Sequence, residues 1–262
     1  MSPRKSPAPS PDDDHKELLR LLQELDLTAV SPVLTDLLGR AEREALSYTG
    51  FAREFLRAES SARRERRVSR QLKRSHLGTI EGIDGFDYAA RPQLESRVLR
   101  ELMGCRFVEE HRNVLCLGRA GLGKTRVAKA LAHAACVRGH SVLFTQAADM
   151  LEDLHASLAD GSLRLLLRRY TKPAVLVLDE IDSGPLDMAL AGYLFRVVAA
   201  RHGRGSIILT ANTAFSKWTA LFPSEPQAVA TVDRLVDRAT ILRFTGKSFR
   251  QPRDIHGAPL EE

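Results

Sequence analysis

Gly118-Arg119-Ala120-Gly121-Leu122-Gly123-Lys124-Thr125 spells G-x-x-x-x-G-K-T, and the rest of the chain is arranged around it. Glycines let the backbone curl until successive N–H groups converge on an oxyanion. Lys124 then reaches the β- and γ-phosphates, the Thr125 hydroxyl ligates Mg²⁺, and Arg126 follows as the next residue of the cradle. The flanks suit such a loop. Residues 113–117 (NVLCL) form a short apolar run, and Val127, Ala128, Leu131, Ala134 and Ala135 recur at helical spacing, so the loop is expected to join a strand to a helix.

The 262 residues are enough for one sizeable core and a smaller appendage. Lys and Arg total 39 against 33 Asp and Glu, a net charge of +6, which favours an anionic partner, nucleic acid first. Cys105, Cys116 and Cys136 lie in apolar stretches without C-x-x-C spacing, arguing against a disulfide frame or a zinc site and for a reducing compartment. No apolar stretch approaches the roughly 20 residues needed to cross a bilayer. Residues 1–14 are rich in Pro and Ser, then acidic, and lack a signal-peptide core. The reading is a cytoplasmic protein with a disordered tail over 1–14 and no membrane partner.

Residues 15–79 read as a small all-α domain. Leu18, Leu19, Leu22 and Leu25, then Val33, Leu34, Leu37, Leu38, Ala41 and Ala45, mark two amphipathic helices broken at 27–31, where Ser31 is placed to cap and Pro32 to open the second. Tyr48-Thr49-Gly50 reads as a turn before a third helix running to about His76. Within it, RRERRVSRQLKR over 63–74 carries seven basic residues, Arg63, Arg64, Arg66, Arg67, Arg70, Lys73 and Arg74, against one acidic. The stretch lacks the i to i+4 acidic partners of an ordinary exposed helix. It is either a solvated face or a phosphate-binding one that neutralises backbone charge without reading bases. Gly, Asp, Phe86 and Tyr88 fill the linker that follows. The domain boundary is set near residue 80, and a helix is expected from Pro92 to about Met103.

Beyond the P-loop helix, strands are expected at 141–145, 174–178, 206–210 and 240–244, with helices at 147–159, 161–170, 186–201 and 229–238. With the first strand this makes five strands with helical crossovers. The expected fold is a three-layer α/β/α P-loop domain over 80–250, with a five-stranded parallel sheet, ligands at the strands' carboxyl ends, and a tail over 251–262.

The apolar run Ala174-Val175-Leu176-Val177-Leu178 ends in Asp179-Glu180. A buried strand with that ending sets Asp179 beside Mg²⁺ and leaves Glu180 to polarise a water. Small GTPases use Gln for that water and Asn-Lys-x-Asp for guanine, and no such pair occurs here. A second apolar strand ends at Asn212, which faces the same water if the two strands adjoin. Arg234 and Arg238, one turn apart on the helix before the last strand, are candidates for the cation that a neighbouring subunit supplies in oligomeric ATPases, worth about 10³ to 10⁵ in rate.

With these residues in hand, the stretch from about 18 to 250 resembles the IstB-type helper ATPases of two-gene insertion sequences, an AAA+ branch close to the DnaC/DnaI helicase loaders. The carrying segments are Leu46-Ser47-Tyr48 with the basic helix, the loop at 118–125, 139–145 (GHSVLFT), 160–164 (DGSLR), Leu178-Asp179-Glu180, 212–218 (NTAFSKW), Asp233-Arg234-Leu235 and 246–250 (GKSFR). The Phe-Ser-Lys-Trp piece is more family-specific than either nucleotide motif. The resemblance implies an AAA+ fold, ATP and Mg²⁺ as cofactors, ATP hydrolysis, self-association on double-stranded DNA, and a partner transposase that the assembly recruits or activates. It makes Asn212 the sensor 1 residue, Arg234 the trans finger and Arg250 the sensor 2 candidate. There are departures: Arg119-Ala120 replaces Pro-Pro or Pro-Thr, and Ser183-Gly184-Pro185-Leu186 replaces Gly-Tyr-Leu-Pro-Leu. Only 16 residues follow Gly246, so a truncated helical lid is expected. Two other readings stand beside the transposition helper: a replicative helicase loader, and a DNA-binding adaptor that holds ATP without turning it over.

Overall fold

The computed structural model describes residues 11–80, 94–246 and 248. Contacts divide the chain into two compact units, 1–69 and 70–262. The dividing point falls inside one helix rather than in the glycine-rich linker.

The first unit opens with helix α1 (Pro11–Glu24), which takes in residues expected to be tail. A 3₁₀ turn (Ser31–Val33) follows, then α2 (Leu34–Arg43) and the long α3 (Tyr48–Ser75). Pro32 sits in the first helical turn, as its fixed φ suits, but Ser31 caps nothing: it lies within the turn, whose N-cap is Val30. Tyr48-Thr49-Gly50 is not a turn either. These residues form the first helical turn of α3, where the Ser47 hydroxyl accepts the Gly50 N–H at 3.1 Å. Leu22, Val30 and Leu34 make a small core, with Leu18, Leu19, Leu38, Phe55 and Ala58 against it.

In the second unit α4 (Ser96–Met103) and a short α5 (Arg106–Glu109) lead into β1 (Val114–Leu117) and α6 (Lys124–Val137). Then come β2 (Val142–Gln146), α7 (Ala147–Ala156), α8 (Leu163–Thr171), β3 (Val175–Asp179), α9 (Met188–Arg201), β4 (Ser206–Ala211), α10 (Glu225–Val236) and β5 (Thr240–Arg243). The five strands pair in parallel in the order β2-β3-β4-β1-β5. Side chains alternate between the faces. Val114, Cys116, Val175, Val177 and Ile208 join a core with α4 and α6, whereas Leu115, Leu176, Leu178, Ile207 and Leu209 join another with α7, α9 and α10. Burial on both faces explains why β3 and the Ile207–Leu209 part of β4 read as continuous apolar runs. The result is the three-layer α/β/α domain expected.

Two details depart from the sequence reading. Helix α10 ends at Val236, and Arg238 lies beyond it in the left-handed region at φ 54°, so Arg234 and Arg238 do not share a helical face. The Phe215–Ala220 segment is a 3₁₀ helix whose Trp218 is fully buried, edge-on to Phe215 at 5.0 Å. The Phe-Ser-Lys-Trp piece is thus an anchor in the second core.

Candidate active site

Strand order decides where the polar residues meet. Strand β4 lies between β1 and β3, so Asn212, just past its end, falls between the loop after β1 and the acids that end β3. The condition on which Asn212's role rested is therefore satisfied.

The loop itself is shaped by close approach. Gly118 has φ +153°, and a Cβ there would sit 2.2 Å from the Phe244 carbonyl oxygen, so no other residue fits while Phe244 N–H donates to Leu117 O at 2.7 Å. Gly118 N–H in turn donates to Ala211 O at 3.1 Å, tying loop to β4. Gly123, at φ 89°, is the N-cap of α6, a conformation that strains any residue with a Cβ. A helix leaves its first N–H groups without intrahelical acceptors, and α6 opens with that ring of donors at Lys124.

Lys124 is only 6% exposed. Its Nζ donates to Arg119 O and to Asn212 Oδ1, both at 2.8 Å. Both acceptors are uncharged oxygens, so they satisfy hydrogen bonds without neutralising the ammonium. Burial pulls its pKa below the ordinary lysine value, and the nearby Asp182, Cys116, Glu180 and Asp179 oppose that pull. A buried cation held this way suits an incoming phosphate.

Asp179 is 2% exposed and collects three donors. The Thr125 hydroxyl lies 2.8 Å from Oδ1 and 3.1 Å from Oδ2, Thr210 Oγ1 donates to Oδ1 at 2.6 Å, and Gln146 Nε2 donates to Oδ2 at 3.2 Å. A carboxylate against a hydroxyl is a hard-oxygen set of the kind Mg²⁺ takes, and Thr125 and Asp179 are the residues that could hold such an ion.

Glu180 follows in the left-handed region at φ 53°, which costs a residue with a Cβ roughly 1–2 kcal/mol. Its N–H donates to Thr210 Oγ1 at 2.9 Å, and Ile181 N–H donates to Thr210 O at 3.1 Å. Asp182 receives the Asn212 N–H at 2.8 and 2.9 Å, the Thr213 N–H at 2.6 Å and the Thr213 hydroxyl at 2.7 Å. The loop that carries Asn212 is thereby pinned. Thr210, Asp182 and Gln146 were missed in the sequence reading. Their signals were a lone hydroxyl in an apolar strand, a further acid two residues past Glu180, and the polar end of β2.

Among the remaining candidates, Ala120, Gly121 and Leu122 lie in the loop with Arg119, which is exposed, and Arg126 is half-buried on the first turn of α6. Arg234 donates to Ala230 O at 2.8 Å and its guanidinium stacks on Phe195 of α9 at 4.8 Å. Arg250, Phe86 and Tyr88 lie outside the described residues.

On α3 the basic residues Arg64, Arg66, Arg67, Arg70, Lys73 and Arg74 are all exposed. Arg63 differs, and the expectation of missing acidic partners fails for it. Its Nε donates to Glu59 Oε1, four residues back, at 2.6 Å, and its Nη2 donates to Asp26 O. Glu59 lies just outside the basic run, which is why a count over 63–74 overlooked it.

The family model described as IstB-like ATP binding protein matches residues 20–256. The chain is 35% identical over 210 residues to the insertion sequence IS5376 ATP-binding protein of Geobacillus stearothermophilus, covering 80% of this chain and 84% of that one. It is 34% identical over 234 residues to the insertion sequence IS21 ATP-binding protein of Pseudomonas aeruginosa, covering 89% and 88%. Among solved structures, the DnaC helicase loader superposes with a TM-score of 0.52 at 18% identity, over 65% of this chain and 97% of that one. That likeness speaks for a shared P-loop AAA+ fold.

Proposed function

The chain belongs to the IstB-like ATP-binding protein family of insertion sequences, and from that membership and the site's geometry we propose that it is a DNA-dependent ATPase. In this reading it assembles with further copies of itself on double-stranded DNA and recruits or stimulates the transposase of the same element. The observation that carries the hydrolytic half is the meeting of Lys124, Thr125, Asp179 and Asn212 at the carboxyl ends of β1, β3 and β4.

Binding begins with the backbone donors of Gly118 to Arg126 around the β-phosphate. Lys124, already directed by Arg119 O and Asn212 Oδ1, sets its charge against the γ-phosphate. Mg²⁺ held by Thr125 and Asp179 would neutralise charge on the phosphate oxygens. Glu180 takes the proton of the attacking water as its oxygen bonds to the γ-phosphorus; the bond from that phosphorus to the bridging oxygen breaks, and ADP leaves with the electron pair. Asn212 contacts the γ-phosphate side of the site and, through Lys124, senses whether that group is present. Arg234, near the end of α10, is the residue offered to a neighbouring copy's γ-phosphate.

The basic face of α3 supplies the grip on DNA. Its charge without aromatic interleaving suits duplex backbone rather than stacked single-stranded bases, which separates this reading from a helicase loader. ATP turnover of wild type and Glu180→Gln, each with and without duplex DNA, tests the proposal. The expected result is turnover stimulated by duplex and reduced at least about 100-fold by the substitution. Equal turnover in the two proteins would remove Glu180 from its role, and stimulation by single strands alone would favour the loader.

A further inference from the structure

We infer that Thr210 is a positioning residue for hydrolysis, one that sets both acids at the end of β3, Asp179 and Glu180, through a single hydroxyl; this rests on the ATPase reading above. Strand β4 is otherwise apolar from Ile207 to Ala211, and Thr210 is fully buried within it. Packing alone asks for valine there. Instead the hydroxyl spends its one proton on Asp179 Oδ1 at 2.6 Å and offers a lone pair to the Glu180 N–H at 2.9 Å. The residue's own carbonyl accepts from Ile181 at 3.1 Å.

Three consecutive residues at the end of β3 are thus fastened to one residue of β4. The fastening matters because Glu180 occupies a left-handed conformation, φ 53°, that a glutamate does not hold unaided. The side-chain direction of Glu180 follows from that backbone. Asp179 Oδ1 also lies 2.8 Å from the Thr125 hydroxyl, with Oδ2 at 3.1 Å, so Thr210 helps to hold the carboxylate plane against the P-loop. Replacing the hydroxyl by a methyl removes one donor from Asp179 and one acceptor from Glu180 N–H, and keeps the branched shape of the side chain. Lys124 and the phosphate-binding backbone are untouched by the change.

The inference separates turnover from binding. Thr210→Val should lower kcat about 10-fold or more while the affinity for a fluorescent ATP analogue stays within about threefold of wild type. Thr210→Ser, which keeps the hydroxyl, should restore kcat to within about threefold. If the valine variant does not fold, Thr210→Ala compared with Thr210→Ser asks the same question, since those two differ only by the hydroxyl. Alanine should then be about 10-fold slower at similar nucleotide affinity. Wild-type kcat in the valine or alanine variant, or a loss confined to nucleotide affinity, overturns the assignment. Glu180→Gln run alongside keeps the two ideas apart. A dead Glu180→Gln with a fully active Thr210→Val sinks only the role of Thr210, whereas an active Glu180→Gln sinks the hydrolytic reading beneath it.

Discussion

Lys124 Nζ and Asn212 Oδ1 lie 2.8 Å apart although 88 residues separate them in the chain. The contact exists because β4 runs between β1 and β3, and because Asp182 holds the backbone of Asn212 and Thr213 in place. If Lys124 binds the phosphates as proposed, a side chain that touches it is positioned to report on the γ-phosphate. Asn212→Ala is therefore expected to reduce ATP turnover by about 10- to 100-fold, with ATP affinity altered far less than in Lys124→Ala. Steady-state kinetics with a separate nucleotide titration checks both halves.

The basic face of α3 makes a second prediction. Arg67, Arg70 and Arg74 recur at three- and four-residue steps, and charge reversal at all three should weaken duplex binding for every sequence alike. The slope of log affinity against log salt should flatten by roughly 0.9 for each phosphate that is no longer neutralised. An unchanged slope would return the helix to an ordinary solvated surface.

Arg63 belongs to the fold instead. Glu59 is buried, which by itself pushes its carboxyl up, but donors from Arg63 and the Val30 N–H outweigh burial and hold its pKa below the ordinary 4.5. A lowered carboxylate pKa contributes stability above the unfolded value, and that contribution fades as pH falls through the folded one. Glu59→Gln should thus cost stability at neutral pH, with the difference from wild type shrinking below about pH 4.5. Hydrogen exchange across residues 11–69 of the full chain measures it.

Much of this was legible in the sequence, for identifiable reasons. The P-loop, the Asp179-Glu180 ending of β3 and the five strands announce themselves because each is a local pattern: glycine spacing, or an apolar run with a polar tip. Thr210 and Asp182 were not legible, because their importance lies in partners on another strand that only the β4 insertion brings near. The helix α10 boundary was overrun by two residues because the apolar periodicity of Val229, Val232 and Val236 continues to the edge of a left-handed residue, Arg238, that no spacing reveals. The tie between Arg63 and Asp26 is likewise a tertiary fact.

Arg201 carries a stability prediction away from the site. It is 1% exposed, and its guanidinium donates to the carbonyls of Tyr170, Thr171, Pro173, Ala174 and Ser206. Burial pulls its pKa down to about 10, so it stays charged at neutral pH. It fastens the end of α8 to the starts of β3 and β4. Arg201→Met, which removes the guanidinium's donation to all five carbonyls, is expected to cost about 3 kcal/mol or more in a urea titration, with nucleotide affinity preserved in the folded fraction.

In the proposed cycle, ATP bound between Lys124, Thr125 and Asp179 governs the hold on duplex DNA and hydrolysis through Glu180 ends it. The most direct measurement is the dissociation rate from immobilised duplex DNA in the presence of ATP, compared between wild type and Glu180→Gln. Wild type is expected to leave as its ATP is consumed, while the Glu180→Gln protein stays bound many times longer. Equal dissociation of the two proteins, at a rate that ATP does not alter, would contradict that cycle.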